Sequence, residues 1–317
     1  MLKLYEHPKM KPLNVQVAAH ASVLPSIARR VRIESTTAFQ NIGKNMTQLR
    51  QDPAVAHCLT CMRQIQRAGR RVPVACSAGR STEIEENSVS IILLAGGVGK
   101  RMGASIPKQY LEIRGKPIAT YSMETFSTMH CVGEIVIVCE PEWRAVFESC
   151  NDTLERKVPL KYASPGAERQ DSVLSGLQKV RDSANLVAIH DSARPLIKAS
   201  DMLACVADAQ RVGAAVLGVP VKPTIKEAGA DGMVVKTLNR SVLWEVQTPQ
   251  VIEPRMLKEG FQLVQRENLE VTDDVSIIEA MGKPVIITKG CYTNIKVTTP
   301  EDMAVAEGFL DDFQSSQ

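Results

Sequence analysis

Aromatic residues are scarce in this sequence: Phe, Tyr and Trp make up 4% of its 317 positions. That is too few to furnish stacking platforms for single-stranded nucleic acid, and no nucleic-acid partner is expected. Long apolar runs are missing as well. Mean hydropathy is −0.08, and no stretch approaches the roughly 18 apolar residues that a membrane span needs, so no membrane partner is expected. The cysteines form no metal-binding or disulfide pattern. Cys58-Leu59-Thr60-Cys61 stands without a second pair or a nearby His pair and supports zinc only weakly. Cys131, Cys139, Cys150, Cys205 and Cys291 are widely spaced and read as buried free thiols in a reducing compartment.

Acidic residues are rare in the first quarter of the chain. Residues 1–83 hold 13 Lys+Arg against 4 Asp+Glu, whereas the remainder holds 25 against 31. That first stretch shows neither strand alternation nor a sustained helical stripe, so it does not bury enough surface to fold alone. Its spread-out arginines (Arg29-Arg30, Arg63, Arg67, Arg70-Arg71), its Ser and Thr and its lack of acids have the composition of an organelle transit peptide. Val74-Ala75-Cys76-Ser77 resembles a plastid cleavage context, so the plastid stroma is the expected location. The alternative is a basic arm for RNA or anionic lipid. There is no apolar segment near Met1 of the kind a secretory signal carries. The expected layout is a transit or disordered segment over 1–83 and one folded domain over 84–317.

From Ser88 onward, apolar runs alternate with amphipathic stretches. Ser90–Ala95, Glu134–Cys139, Leu186–His190 and Ala214–Val219 read as buried parallel strands. Helix-period segments lie at about 117–129, 143–152, 169–181 and 200–211. The alternation predicts an α/β fold, a doubly wound and mostly parallel sheet of the Rossmann-like kind. The rhythm breaks over about 222–251. There Gly229-Ala230-Asp231-Gly232, between two strand-like runs, signals an inserted β-hairpin. A hairpin in a parallel sheet has no partner strand within it, so an arm reaching a second subunit is expected; the alternative is a hairpin folded on its own domain. Helices over Glu253–Glu267 and Thr272–Met281, a strand at Val285–Ile287 and a last helix opened by Thr299-Pro300 complete the reading.

Leu94-Ala95-Gly96-Gly97-Val98-Gly99-Lys100-Arg101 follows the first strand. Glycines there let backbone N–H groups approach a phosphate. The loop is not a P-loop, since Leu94 and Arg101 stand where Gly and Ser/Thr are required. It is not a dinucleotide fingerprint either, because Met102 occupies the third small position. Two cations follow it, Arg101 and the Lys108 of Pro107-Lys108-Gln109-Tyr110. At the end of a later strand, His190-Asp191-Ser192-Ala193-Arg194-Pro195 places an acid where Mg²⁺ could be held together with substrate phosphates; the alternative for Asp191 is a cap. His190, with no second His nearby, reads as a hydrogen-bonding residue. Gly166–Ser172 opens a helix whose N–H groups suit a nucleotide. Nowhere is a nucleophile paired with a base, and a reaction whose nucleophile is already an anion needs none.

These motifs in this order, together with Thr248-Pro249-Gln250 and Asn294-Ile295-Lys296-Val297-Thr298, resemble those of the 2-C-methyl-D-erythritol 4-phosphate cytidylyltransferases over about 88–312. The N-terminal extension resembles that of plant or algal plastid forms. The resemblance implies transfer of CMP from CTP to methylerythritol phosphate with release of pyrophosphate, in non-mevalonate isoprenoid biosynthesis and with Mg²⁺ as cofactor. It implies that Arg101 and Lys108 stabilise the transition state and that Asp191 holds the metal. Ala95, Gly96, Gly97 and Gly99 would contact the nucleotide from the loop, and Gly166, Ser172, Asp191 and Ser192 from the facing segments. Arg194, Thr224, Arg240, Thr248, Thr272 and Lys296 would surround the acceptor, with Arg240 and Lys296 orienting its phosphate. The arm would cross to the partner of a homodimer. Ser192, where many relatives have Ala, and the variable Gly97-Val98 are small departures. Rival expectations are a cytidylyltransferase for another polyol phosphate, such as ribitol 5-phosphate, and a non-catalytic nucleotide-binding regulator.

Overall fold

The computed structural model of the chain describes residues 83–97 and 106–314, with side chains described as far as Asp311 in the last helix. Residues 1–82 of the expected transit segment lie outside the described residues, as do Gly99 and Arg101 of the glycine loop.

Seven strands form the central sheet in the order β11-β7-β10-β6-β1-β4-β5. They are β1 (Val89–Leu94), β4 (Val132–Val138), β5 (Leu160–Ala163), β6 (Leu186–Asp191), β7 (Ala214–Pro220), β10 (Trp244–Ile252) and β11 (Ile286–Lys289). β1, β4, β6 and β7 are the apolar runs expected from the sequence, and they are buried on both faces. Side chains of successive strand residues point to opposite faces, and the core divides accordingly. Ile91, Leu93, Ile135, Ile137 and Leu217 pack on α1 (Ile118–Ser127), α2 (Arg144–Thr153) and α4 (Ala199–Val212). Ile92, Val136, Val138, Ile189 and Val216 pack on α3 (Arg169–Leu177), α5 (Pro254–Glu267) and α6 (Asp274–Ala280). The fold is therefore a doubly wound α/β sheet. α4 stops where Gly213 takes φ 98°, a left-handed conformation that costs glycine little. A last helix, α7 (Pro300–Gln314), packs beside the small hairpin β2 (Glu112–Ile113) and β3 (Lys116–Pro117).

One strand departs from the sequence reading. The hairpin arm does not extend to 251, because 244–252 is β10, which lies in the central sheet between β6 and β7 and antiparallel to both. The arm is therefore only 221–243, and its strands β8 (Lys226–Ala228) and β9 (Val234–Thr237) pair with each other alone. Proline argues against a central strand because it offers no N–H to the ladder. Here the ladder skips that position: the register shifts between Val246 and Gln250, around a cis Thr248–Pro249 bond. The buried polar groups of the strand are also satisfied. Gln247 bonds Cys291 and Asn294, and Gln250 bonds Asp273, Asp274 and Val275.

Cys131, Cys139, Cys150, Cys205 and Cys291 are free, the first, second and fourth of them buried. Among the described residues, no helix is long and apolar enough to cross a membrane.

Candidate active site

The chain leaves β1 toward β4 on one side, whereas β6 leads toward β7 on the other, so the strand order reverses between β1 and β6. Ligands in open α/β sheets bind outside the carboxyl ends of the strands at such a point. A pocket of about 370 Å³ opens there, within the range of small-molecule sites. Gly96 and Gly97 form one wall, Pro165 to Arg169 and Ser172 another, and Lys108, Asp191, Ser192 and Lys296 line the remainder. A larger cleft of about 780 Å³ lies at the opposite, amino end of β6. Its lining mixes Glu85, Asp182 and Glu253 with Arg181, Arg255 and Lys258, and these do not converge on one charge.

The walls come close enough to require glycine. A Cβ on Gly96 would lie 2.4 Å from Cγ of Pro165, and one on Gly166 would lie 2.2 Å from Cβ of Asp171. The base of the glycine loop is clamped from the Pro-Lys-Gln-Tyr motif. The buried Gln109 donates from Nε2 to the carbonyls of Ala95 (2.7 Å) and Gly97 (2.8 Å). The Tyr110 hydroxyl donates to the same Ala95 oxygen at 2.9 Å, and its ring stacks on Trp143 with centroids 4.0 Å apart. Thus the residues after Lys108 hold the loop to which Lys108 is opposed.

A chain of alternating charges runs back from the pocket. Lys296 Nζ lies 2.7 Å from Asp191 Oδ2, and Arg169 Nε lies 3.5 Å from Asp191 Oδ1. Behind them, Arg169 grips Asp274 with both terminal nitrogens at 2.8 Å, the strong fork geometry of guanidinium and carboxylate. Burial alone would raise the Asp191 carboxyl, but the Arg169 and Lys296 cations outweigh it and hold the group well below the usual carboxylate range. Burial likewise opposes the charge on Arg169, and Asp274 followed by Asp191 more than restores it. Lys108 reaches the same region, donating to the Val297 carbonyl at 2.7 Å.

His190 is wholly buried beneath this chain. Its Nε2 faces the Arg194 carbonyl at 3.2 Å, and its Nδ1 faces Thr248 Oγ1 at 3.1 Å. A carbonyl only accepts, so the proton resides on Nε2 and Nδ1 accepts from the threonine hydroxyl. That hydroxyl in turn accepts from the Asp191 N–H at 3.1 Å. The backbone at Asp191 is thereby held through Thr248 and His190.

Several side chains expected at the site are already engaged within the protomer. The Gly166 N–H is not free, as it donates to Ser172 Oγ at 3.0 Å. Ser192 turns its hydroxyl back to the Leu94 carbonyl at 2.7 Å, and Thr248 is buried. Arg194 donates from Nη1 to the Asn294 carbonyl at 2.7 Å, while its Nε has no hydrogen-bond partner among the described residues. Thr224, Thr272 and Arg240 are exposed and do not line the pocket. Thr224 and Arg240 belong to the arm, where Arg240 Nη1 donates to the Lys222 carbonyl at 2.8 Å. Arg169, Gln109 and Asp274 also belong to the site, although no role is expected of them from the sequence. Each sits within or beside a motif that marks the site.

The family profile described as 2-C-methyl-D-erythritol 4-phosphate cytidylyltransferase matches residues 89–312. A chloroplastic protein of that name from Oryza sativa is 51% identical over 251 residues, covering 79% of this chain and 84% of the relative. One from Syntrophotalea carbinolica is 40% identical and covers 72% of this chain and all of the relative. Among solved structures, the Thermus thermophilus enzyme of the same name superposes with a TM-score of 0.56 at 27% identity, over 71% of this chain and 98% of that one. A 4-diphosphocytidyl-2C-methyl-D-erythritol synthase from Anaerococcus prevotii gives 0.63 over 70% and 98%; at 24% identity it bears on the fold alone.

Proposed function

This chain belongs to the 2-C-methyl-D-erythritol 4-phosphate cytidylyltransferase family, nucleotidyltransferases that pass CMP from CTP to methylerythritol phosphate and release pyrophosphate, and we propose that the pocket at the β1–β6 switch point carries out that transfer. The observation that supports it is the convergence of Lys108 and Lys296 on a glycine-walled pocket whose buried acid, Asp191, is kept ionised.

The acceptor phosphate is an anion and attacks the α-phosphorus in line without a base. Negative charge then builds on the equatorial and leaving oxygens, so fixed cations carry the catalysis. Lys108 is set by the Val297 carbonyl and Lys296 by Asp191. Both are therefore in place before the charge develops, and Arg101 is assigned the same role from its motif. Gly96, Gly97, Gly166 and Ser172 face the nucleotide. The unpartnered Nε of Arg194 is left to the acceptor side.

Mg²⁺ fits this donor set as an ion that arrives with the triphosphate. It commonly takes one or two carboxylates and completes its shell with phosphates and water, and Asp191 is one ionised carboxylate at the pocket wall. Among the described residues, no cluster of three or more His, Cys, Asp or Glu forms a resident metal site. When bound, the ion would neutralise phosphate charge and shape the triphosphate for in-line attack.

The arm completes the reading. Met233, Val234, Val235 and Val242 are 60–69% exposed on it, an apolar surface of the kind that marks an interface. We assign it to a homodimer in which Thr224 and Arg240 enter the partner's pocket. The basic residues 1–83 are assigned to import into the plastid stroma; the Oryza sativa relative is named as chloroplastic. A fluorescent fusion of that segment that stays in the cytosol would remove this assignment.

The test of function is pyrophosphate release by the purified protein with CTP and Mg²⁺, comparing methylerythritol phosphate with ribitol 5-phosphate. Release with the first alone is expected, and Lys108→Ala should lose about 100-fold in kcat, the cost of one transition-state donor. Release with ribitol 5-phosphate would overturn the acceptor. Near-normal turnover by Lys108→Ala would overturn the role of that lysine.

A further inference from the structure

We propose that Tyr292 is a positioning residue for the acceptor: it sets the root of the arm and, through Lys222, the guanidinium of Arg240. The inference rests on the reading above, in which Arg240 serves the acceptor site.

Tyr292 lies in the segment between β11 and α7, the same segment that carries Lys296. Its hydroxyl donates to the carbonyl of Pro220, the last residue of β7, at 2.7 Å. Lys222 lays its ammonium over the Tyr292 ring, 3.5 Å from the centroid. One side chain thus grips the backbone on one side of Val221 and the side chain on the other. Val221 makes the last rung before the arm departs, donating to the Leu243 carbonyl at 3.0 Å. The carbonyl of Lys222 then accepts Arg240 Nη1 at 2.8 Å. Two steps lead from the tyrosine to the guanidinium.

The other end of the same segment is fixed to the pocket. Gly290 donates to the Gly218 carbonyl at 2.9 Å, and Val297 donates to that of Ala193 at 2.8 Å. Asn294 holds Gln247 and the Thr248 carbonyl through Nδ2 while its own carbonyl receives Arg194. Lys296 pairs with Asp191, and the Val297 carbonyl receives Lys108. Residues 290–297 therefore touch both the cations of one pocket and the foot of the arm that leaves for the other. An exposed arginine has many rotamers, and fixing one of its N–H groups before the phosphate arrives reduces what binding must order. That fixing is only as firm as the Lys222 carbonyl, and Tyr292 holds the backbone before it and the side chain of the same residue.

The experiment is steady-state kinetics of the full chain, with each substrate varied in turn, for Tyr292→Ala, Tyr292→Phe and Arg240→Ala, and with sedimentation of each variant. Tyr292→Ala loses both the hydroxyl bond and the ring beneath the cation, and its KM for methylerythritol phosphate should rise about tenfold. The KM for CTP and the oligomeric state should not change. Tyr292→Phe keeps the ring under Lys222 and should recover most of the loss. If Arg240→Ala raises the acceptor KM and Tyr292→Ala does not, this inference fails and the acceptor reading stands. If Arg240→Ala itself leaves the acceptor KM unchanged, the acceptor reading fails and takes the inference with it. An equal rise in both KM values for Tyr292→Ala would make the tyrosine a support of the Lys296 segment and overturn its role in positioning Arg240.

Discussion

Protonation of His190 should cost the fold stability as the pH falls below the ordinary imidazole range. Burial pushes its imidazole down from 6.5 to about 4, and the geometry agrees, because Nδ1 is the acceptor for the Thr248 hydroxyl. Below pH 6.5 the unfolded chain binds a proton at this residue, while the folded chain does so only near pH 4. Stability contributed by the neutral ring is therefore complete above pH 6.5 and is lost as the pH falls through the interval. For a shift of this size the loss is about 2 kcal/mol by pH 5 and about 3 kcal/mol by pH 4. The assay is urea unfolding of the full chain at pH 7.5 and pH 5.0, for the native sequence and for His190→Gln, whose amide still offers a donor and an acceptor. Carboxylates held low, such as Asp191 and Glu134, contribute mainly below this interval and are common to both proteins. The native chain should lose about 2 kcal/mol more than the variant between the two pH values. Equal losses would refute the reasoning and show that the ring takes up its proton in the folded chain.

Two further outcomes follow from the geometry. Asp274→Ala leaves the half-buried Arg169 with only the more distant Asp191. Losing hydrogen bonds to a charged group costs about 1.5–3 kcal/mol, and the exposure of Arg169 with its second carboxylate puts the expected loss near the lower figure; an unfolding free energy within about 0.5 kcal/mol of native would contradict it. Val234→Asp and Val242→Asp place charge on residues that are 60% and 69% exposed. Sedimentation should then show monomers with little change in thermal stability, and a persistent dimer would take the arm out of the interface.

Legibility in the sequence followed burial. β1, β4, β6 and β7 were readable because they are covered on both faces, and such strands are written as unbroken apolar runs. β10 was not, since Trp244-Glu245-Val246-Gln247-Thr248-Pro249-Gln250 carries polar residues and a proline. Only the structure shows that its glutamines bond the segments on either side and that the ladder skips Pro249. Within the site, single-motif residues such as Lys108 and Asp191 could be named from chemistry and resemblance. The partnership of Arg169 with Asp274 could not, because it joins the start of one helix to the start of another 105 residues away. The sequence pattern marks both ends but cannot say that they meet. The clamp by Gln109 was likewise hidden beside a more conspicuous lysine.

The placement of β10 has a consequence for how such a chain can change. The arm leaves from β7 and returns into its immediate neighbour, with Trp244 opposite Pro220, so its two feet stand one strand spacing apart, about 4.8 Å. Those feet are held by the ladder whatever lies between them. Lengthening the excursion then costs only closure entropy, about 0.6 kcal/mol for each doubling. The arm is in this sense an appendix that the sheet does not feel. Segments carried on it can change in length without disturbing the ladder, while the residues at the strand ends and helix starts are bound to the fold itself.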